Sequence, residues 1–396
     1  MEVQPAAKSP AHSGSVSASS TSSYEHDDLL TNPYELRHGR RYLRDMPYPL
    51  PCDLPEMHRQ SLRTLLCMSV FNGAACAPLL RQKPPMKVLE LGCGGAYWTA
   101  SCYDHFKSMG RSNISFTGLD MAPIAPDLRR HGIDWRFVQH DLRRIPWPFQ
   151  NGEFDFVMIK DMALVVPLGV PWQRFLEEAT RIMKKGGTLE LWDSDHVLRR
   201  LLPHQPLCSE PESRAEKAAR KTCTFVIGAG VPFAAAQNKY IEQCNAWIAA
   251  ALGKRHLQAT PCARVVETLH QWPVALESID CCRIAVPLKI LPWEPDRRKH
   301  SRSGTSAKAH NAGKARAKPT ASMLTPDQAA LRQVALMIVV QKCESLEPVL
   351  REVSGKSAEE WATWWTTKMA DLLKSDEIGT GECLELGAWW ATKKST

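Results

Sequence analysis

Four acidic residues and one glycine-rich segment have the types and the spacing that suit a ligand containing a nucleoside. The acids, each at or near the end of an apolar run, are Glu90, Asp120, Asp141 and Asp161. Carboxylates accept hydrogen bonds from hydroxyl and amino groups. Residues 92–95 read Gly-Cys-Gly-Gly, and glycines let a backbone approach a ligand without a side chain in the way. The pattern therefore indicates one shared pocket.

An alternation of strands and helices is expected to position these acids. Strands are predicted at residues 88–91, 114–120, 135–142, 154–161, 188–193, 278–288 and 384–393. Strands that alternate with helices form βαβ units and a mostly parallel sheet. Ligands of such sheets bind beyond the carboxyl ends of the strands, so the four acids should meet at one edge. The predicted fold class is α/β.

The glycine-rich turn does not have the features of two common nucleotide sites. A dinucleotide-binding turn needs a small residue three positions after its second glycine, and here Tyr97 follows Gly94 at that position. The phosphate-binding pattern Gly-x-x-x-x-Gly-Lys-Ser/Thr does not occur in the sequence. What remains is a nucleoside-containing ligand whose small charged end approaches the turn.

The successive motifs over about residues 85–195 resemble those of class I S-adenosylmethionine-dependent methyltransferases. They are residues 90–96 (Glu-Leu-Gly-Cys-Gly-Gly-Ala), Asp120 and Asp141. Upstream motifs resemble the fungal LaeA-like/TAM-type methyltransferase group. They are residues 39–42 (Gly-Arg-Arg-Tyr), residues 48–51 (Tyr-Pro-Leu-Pro), Asp53, Glu56 and Arg59. The resemblance implies a Rossmann-like, seven-stranded, mostly parallel sheet with a helical lid insertion, and S-adenosylmethionine as the cofactor.

The same resemblance assigns the cofactor contacts. Gly92, Cys93 and Gly94 would line the methionine end of the cofactor through backbone groups, and Glu90 would anchor the turn on the amino-group side. The third glycine position of the family pattern holds Ala96, which is small enough to lower the affinity only modestly.

The next two strand ends would contact the nucleoside. Asp120 would accept both ribose hydroxyls, and Asp141 would receive the adenine amino group. Met121 and Leu142 would offer apolar faces to the adenine ring. The plainer alternatives are that Asp120 caps a turn and that Asp141 is a turn residue.

Asp161 and His196 are the candidate catalytic residues, with Asp195 beside them. Methyl transfer from a sulfonium is an in-line displacement, so positioning and exclusion of water supply most of the catalysis. A general base is needed only when the acceptor atom carries a proton. A salt bridge of Asp161 with Lys160 or with an arginine is the competing interpretation.

Composition narrows the class of protein. The chain has 396 residues, a net charge of +8 and 13 cysteines, without a Cys-x-x-Cys pair of metal spacing. Buried free thiols and no metal site are therefore expected. No secretory signal is visible, and the longest apolar run, near residues 226–236, is too short to span a bilayer. We expect an intracellular, soluble protein.

The segments have distinct compositions. We predict a disordered Ser-rich tail (1–30), an amino-terminal arm and helix (31–85), the cofactor-binding core (86–200), a helical lid (201–277), a strand completing the sheet (278–295), a disordered basic loop (296–322), and carboxyl-terminal helices with a last strand (323–396). Helices are predicted at residues 54–71, 96–109, 172–185, 212–222, 233–252, 326–350 and 357–373.

Three interpretations of the basic loop stay open: a solvated flexible loop, a nuclear import signal at residues 297–299 and 314–318, or a nucleic-acid contact. The protein is accordingly expected in the cytoplasm, the nucleus or both. Residues 159–162 (Ile-Lys-Asp-Met) lack the Asn-Pro-Pro-Tyr type of signature, which argues against methylation of nucleic-acid bases.

The predicted function is methyl transfer from S-adenosylmethionine to a small molecule or a protein. The alternative is a LaeA-like regulator that keeps the cofactor pocket and acts through protein partners. An oxidoreductase is a remote third hypothesis.

Overall fold

A computed structural model describes residues 29–204, 211–228, 230–271, 275–294, 324–374 and 379–395. The predicted basic loop, and all but the last two residues of the predicted tail, lie outside these ranges. No helix in the described ranges combines the length and the apolar character that crossing a membrane requires.

The amino-terminal arm is a hairpin followed by a long helix. Its elements are β1 (Tyr34–Arg37), β2 (Arg40–Leu43), α1 (Leu54–Phe71) and α2 (Leu79–Gln82). The side chain of Asp53 accepts a hydrogen bond from the backbone N–H of Glu56, which caps the start of α1. Asn72, in the left-handed conformation, ends the helix. The prediction of a helix at residues 54–71 is confirmed.

The next segment alternates strands and helices. Its elements are β3 (Lys87–Leu91), α3 (Tyr97–Ser108), β4 (Ser115–Asp120), β5 (Asp134–Gln139), β6 (Phe154–Lys160), α4 (Val170–Ile182) and β7 (Met183–Ser194). Strand β3 pairs in parallel with β4 and β6, β4 with β5, and β6 with β7. The carboxyl ends of these strands therefore share one edge of the sheet.

The remaining elements complete the sheet and cover that edge. They are β8 (Arg199–Leu201), α5 (Arg214–Thr222), β9 (Phe225–Val226), β10 (Phe233–Ala235), α6 (Lys239–Gly253), α7 (Val265–His270), β11 (Leu276–Pro287), α8 (Pro326–Ser345), α9 (Glu347–Ser354), α10 (Ala358–Leu372) and β12 (Glu382–Lys393).

The seven predicted strands lie in the spatial order β5-β4-β3-β6-β7-β12-β11. β12 runs antiparallel to both β7 and β11. The short strands β8, β9 and β10 extend this core to ten strands. Strand order reverses at β3, because β4 lies on one side of it and β6 on the other. The predicted Rossmann-like α/β fold is confirmed.

Helices cover both faces of the sheet. Along β3, Val88 packs into one hydrophobic cluster, which also holds Trp98 of α3. The adjacent Leu89 points to the opposite face and packs into a second cluster with Phe175 of α4. This alternation, with apolar residues on both faces, is what a sheet buried between two helical layers requires.

Three predicted helix boundaries are wrong. The helix predicted at residues 172–185 ends at Ile182, because Met183 already pairs with Phe154 as part of β7. Residues 233–235 pair with β8, and the helix starts only after its cap, Asn238. The helix predicted at residues 326–350 divides at Leu346, since a proline at position 348 suits the first turn of a new helix and not a helix interior.

Candidate functional site

The turn after β3 depends on glycine. Gly92 and Gly94 have φ angles of 68° and 50°, in the left-handed region that favours glycine. The backbone N–H groups of Gly92 and Cys93 donate to the carbonyl of Leu119, at 2.8 and 3.2 Å. A Cβ atom at Gly92 would overlap the terminal methyl group of Met162. The turn therefore presents its backbone to the space beyond the strands.

Asp120 joins the first two strand ends. Its carboxylate accepts hydrogen bonds from the N–H groups of Gly94 and Ala122, each at 2.8 Å. Burial raises the pKa of this carboxyl, and the backbone donors oppose that shift. The side chain lines the cavity described below, and each carboxylate oxygen has a further lone pair for a ligand.

Glu90 is fully buried behind the turn and does not line the cavity. Its carboxylate accepts from the N–H group of Thr99 at 3.2 Å and from its hydroxyl at 2.7 Å. The ammonium of Lys160 lies 3.2 Å away. Glu90 thus ties the first turn of α3 to the end of β6.

Asp141 is also buried and also lies outside the cavity lining. Arg143 donates three hydrogen bonds to its carboxylate, from Nε at 3.0 Å, from Nη2 at 2.8 Å and from the backbone N–H at 2.9 Å. The neighbouring Leu142 does line the cavity, as does Met121 after β4. The predicted apolar faces are therefore present at the cavity wall, whereas the Asp141 carboxylate is engaged elsewhere.

One large cavity runs along the carboxyl ends of β3, β4, β6 and β7. Residues 92–94 and Asp120 line one part, and the rest of the wall includes residues of the arm segment 43–52 and of helices α1, α6, α8 and α10. Much of that wall is apolar, including Leu50, Ile248 and Ile338. The helices enclose a space continuous with the glycine turn.

Residues 39–59 of the amino-terminal arm and α1 hold this cover in place. Arg40 makes a bidentate ion pair with Asp53, at 2.7 and 2.8 Å, which ties β2 to the start of α1. The carboxylate of Glu56 pairs with Arg59 one turn later and accepts from the hydroxyl of Ser345, at 2.8 Å, at the end of α8. These contacts join the arm to the carboxyl-terminal helices.

Asp161 lies at the carboxyl end of β6 and lines the cavity. Its carboxylate makes an ion pair with Arg63 of α1. Asp193, one strand away, accepts from the N–H of Ala163 at 3.1 Å, and burial together with the charge of Asp161 raises its pKa to about 7. The salt bridge with an arginine that the sequence allowed is thus present.

His196 and Asp195 follow β7 and also line the cavity. The Nδ1 atom of His196 lies 2.7 Å from Nζ of Lys342, and burial together with Lys342 keeps the pKa of the imidazole well below its usual value. The carboxylate of Asp195 accepts from the N–H of Cys262 at 3.0 Å, and its pKa is raised to about 6, chiefly by burial.

Sequence reasoning gave no site role to four cations of the cavity wall: Arg59 and Arg63 of α1, Lys342 of α8 and Lys368 of α10. A signal existed for α1, because Glu56, Arg59 and Arg63 recur at helical spacing along a buried face. For Lys342 the signal is its place close behind the apolar run of residues 334–340 in α8. Within the described ranges, no three metal-ligating side chains come together.

Residues 88–187 match a protein family described as a methyltransferase domain. A segment is also 26% identical over 151 residues to the demethylmenaquinone methyltransferases of two Tropheryma whipplei strains. That alignment covers 36% of this chain and 57% of those relatives.

Two solved structures show distant similarity. Phosphoethanolamine N-methyltransferase 2 of Haemonchus contortus, in complex with phosphomonomethylethanolamine and S-adenosylhomocysteine, is 10% identical with a TM-score of 0.36, over 84% of this chain and 58% of that one. The YcgJ protein of Bacillus subtilis is 12% identical with a TM-score of 0.38, over 86% and 100%. Similarity this low carries no functional assignment.

The family match and the geometry agree on the kind of domain. The strand order with its reversal at β3 is that of the predicted fold. The glycine turn and the half-buried carboxylate of Asp120 border the cavity at the carboxyl ends of the strands. Residues 88–187 are therefore similar in sequence to a methyltransferase domain and lie in a Rossmann-like sheet.

Proposed function

We propose that the protein transfers the methyl group of S-adenosylmethionine to a small-molecule acceptor held under helices α1, α6, α8 and α10. The observation that carries this proposal is the continuity of the cavity. Gly92 and Asp120 line its cofactor part, while Arg63, His196 and Lys342 line the part under the helices. An acceptor enclosed there would meet the cofactor away from bulk water.

The cofactor roles follow from which groups reach the cavity. Backbone groups of residues 92–94 suit the methionine end, and the Asp120 carboxylate suits the ribose hydroxyls. Met121 and Leu142 suit the adenine faces. Because Arg143 holds the Asp141 carboxylate, we assign Asp141 the task of shaping the loop that carries Leu142. We likewise assign Glu90 the support of the turn.

Methyl transfer itself requires mainly that the acceptor atom is aligned with the sulfonium and that water is excluded from both. When the acceptor atom must lose a proton, Asp161 is our candidate base, since it lines the cavity beside the glycine turn. His196 is better suited to binding the acceptor molecule than to removing its proton. A charged Lys342 donates to its Nδ1 atom, which leaves the ring hydrogen on Nε2 and makes that atom a donor.

Binding and label transfer test this function together. The purified full chain should bind S-adenosylhomocysteine in calorimetry. Incubated with methyl-labelled S-adenosylmethionine and a cell extract separated into small-molecule and protein fractions, it should transfer label to the small-molecule fraction. Absence of binding would refute the function. Label found in proteins alone would refute the small acceptor, and binding without transfer to either fraction would favour the regulator.

A further inference from the structure

Lys342 is a cation without an acidic partner in the cavity. It lies on α8, and within the described ranges no carboxylate comes within ion-pair distance of its ammonium; its hydrogen-bond partner is Nδ1 of His196, at 2.7 Å. Three other cations around the cavity are paired: Arg59 with Glu56, Arg63 with Asp161 and Lys160 with Glu90. Lys368, which also lines the cavity, lies over the rings of Trp364 and Trp365 instead. The described side chains thus leave Lys342 without a counter-charge.

Two donors beside Lys342 also lack partners. Nη2 of Arg63 and Nε2 of His196 are buried, and neither makes a hydrogen bond within the part of the chain that the structure describes. Both residues line the same cavity as Lys342. An unpaired buried polar group destabilises the protein, so a ligand that supplies acceptor atoms here recovers that cost.

The surroundings of Lys342 oppose its charge in the absence of a ligand. Burial, together with the nearby guanidinium groups of Arg59 and Arg63, lowers its pKa to about 7. An anion placed among these groups reverses the effect, because an opposite charge at close range favours the protonated lysine.

Resting on the proposed function, we infer that the methyl acceptor is an acid whose carboxylate or phosphate group is bound by Lys342, Nη2 of Arg63 and Nε2 of His196. The anion takes one N–H from each of the three side chains. Its apolar body packs on the aliphatic wall of the cavity, which includes Ile248 and Ile338. The acidic group anchors the acceptor and leaves the methylated atom at the cofactor end.

A set of matched probes tests this assignment on the full chain saturated with S-adenosylhomocysteine. The acids are 4-phenylbutyrate and phenyl phosphate, and the uncharged counterpart is 4-phenylbutanamide. Calorimetry should show saturable binding of at least one acid and binding of the amide that is weaker by about tenfold or more. Binding of one acid alone identifies which anionic group the site takes.

Lys342→Met removes the cation and keeps an apolar chain of similar length. It should weaken binding of the acid by about tenfold or more and leave the affinity for S-adenosylhomocysteine within about threefold. Lys254→Met, at the exposed residue that follows α6, makes the same change outside the cavity and should alter neither affinity. A thermal melt of both variants verifies that they fold.

Three results would overturn the inference: no saturable binding of either acid at millimolar concentration, equal affinity for acid and amide, or undiminished binding of the acid by a folded Lys342→Met variant. Failure of wild type to bind S-adenosylhomocysteine would instead refute the proposed function. The probes would then be measured on the free protein, where acid binding that depends on Lys342 would preserve the anion site.

Discussion

Replacing Asp120 with asparagine should weaken cofactor binding without unfolding the protein. The carboxylate accepts hydrogen bonds from the N–H groups of Gly94 and Ala122, both at 2.8 Å, and it also lines the cavity. Asparagine keeps one oxygen and turns an amide group towards one of the two backbone donors. It also removes the charge that strengthens each hydrogen bond to a ribose hydroxyl.

The magnitude follows from these bonds. A hydrogen bond to a charged group contributes about 1.5–3 kcal/mol, against about 1 kcal/mol for a neutral pair. Loss of one charge-assisted hydrogen bond to the cofactor should therefore weaken the binding of S-adenosylhomocysteine by about 10-fold to 150-fold. The donor left facing an amide group should also lower the free energy of unfolding by about 1–3 kcal/mol.

Asp155→Asn is the matched control. Asp155 also accepts two backbone N–H groups, those of Met86 at 3.2 Å and Lys87 at 2.9 Å, but at the opposite end of β3. Calorimetry should find its cofactor affinity unchanged, while urea unfolding should show a comparable loss of stability. The reasoning fails if a folded Asp120→Asn variant binds S-adenosylhomocysteine within about threefold of wild type.

Three further predictions concern the turn, the core and the cavity. Gly92→Ala should lower the free energy of unfolding by about 1–2 kcal/mol through backbone strain and should abolish tight binding of S-adenosylhomocysteine. Gly132→Ala, with a φ of 76° and open space around the residue, should lower stability by a similar amount and leave cofactor binding unchanged. Equal cofactor affinity in the two variants would contradict the prediction. Glu190→Ala should lower the free energy of unfolding, measured in urea, by about 3 kcal/mol or more. The substitution removes the acceptor of two backbone N–H groups, those of Cys76 and Ala77, and of the Trp192 indole N–H, all bonded at 2.7–3.0 Å. A loss of less than about 1 kcal/mol would refute this prediction. The pKa of Lys342 falls from 10.5 to about 7 on folding, so between those pH values the unfolded chain binds one proton more than the folded chain. The free energy of unfolding should therefore rise with pH in this range, by up to about 1.4 kcal/mol per pH unit. Urea unfolding at several pH values should show a smaller slope for Lys342→Met than for wild type, and an unchanged slope would disprove the assignment. The titratable groups facing Lys342 are Arg59, Arg63, Asp193, His196 and Cys343.

Local patterns were enough to predict the sheet. Strands β3, β4 and β6 are short, mostly apolar runs with an acid at or next to their carboxyl ends, and such runs favour a buried strand. The acids at Asp120 and Asp161 could be placed at the cavity edge because parallel strands end together. The same reasoning placed Glu90 and Asp141 near that edge, but side-chain partners turned both away from the cavity.

Boundaries failed where tertiary pairing overrides local preference. Lys184 and Lys185 suit the last turn of a helix, yet they belong to β7 because this strand already pairs with β6 at Met183. Residues 233–235 likewise become a strand through pairing with β8. Neither partner is visible in the segment itself.

The acceptor part of the site was beyond sequence reasoning because its members are far apart in the chain. Lys342 meets His196 across 146 positions. The pairing of Arg63 with Asp161 likewise joins α1 to the end of β6. Only the folding of α1 and α8 against each other brings these groups into one cavity, and no local periodicity encodes that contact.

The position of β12 has a consequence for how the chain folds. Trp192 of β7 lies opposite Ala388 of β12, so the centre of the sheet is closed by partners about 200 positions apart. Contacts of such long range make folding slow, because much of the chain must be ordered before they form. Until β12 inserts, the edge of β7 stays open to other chains and favours aggregation. Yield of soluble protein should therefore depend on temperature and on chaperones more than the stability of the finished fold would indicate.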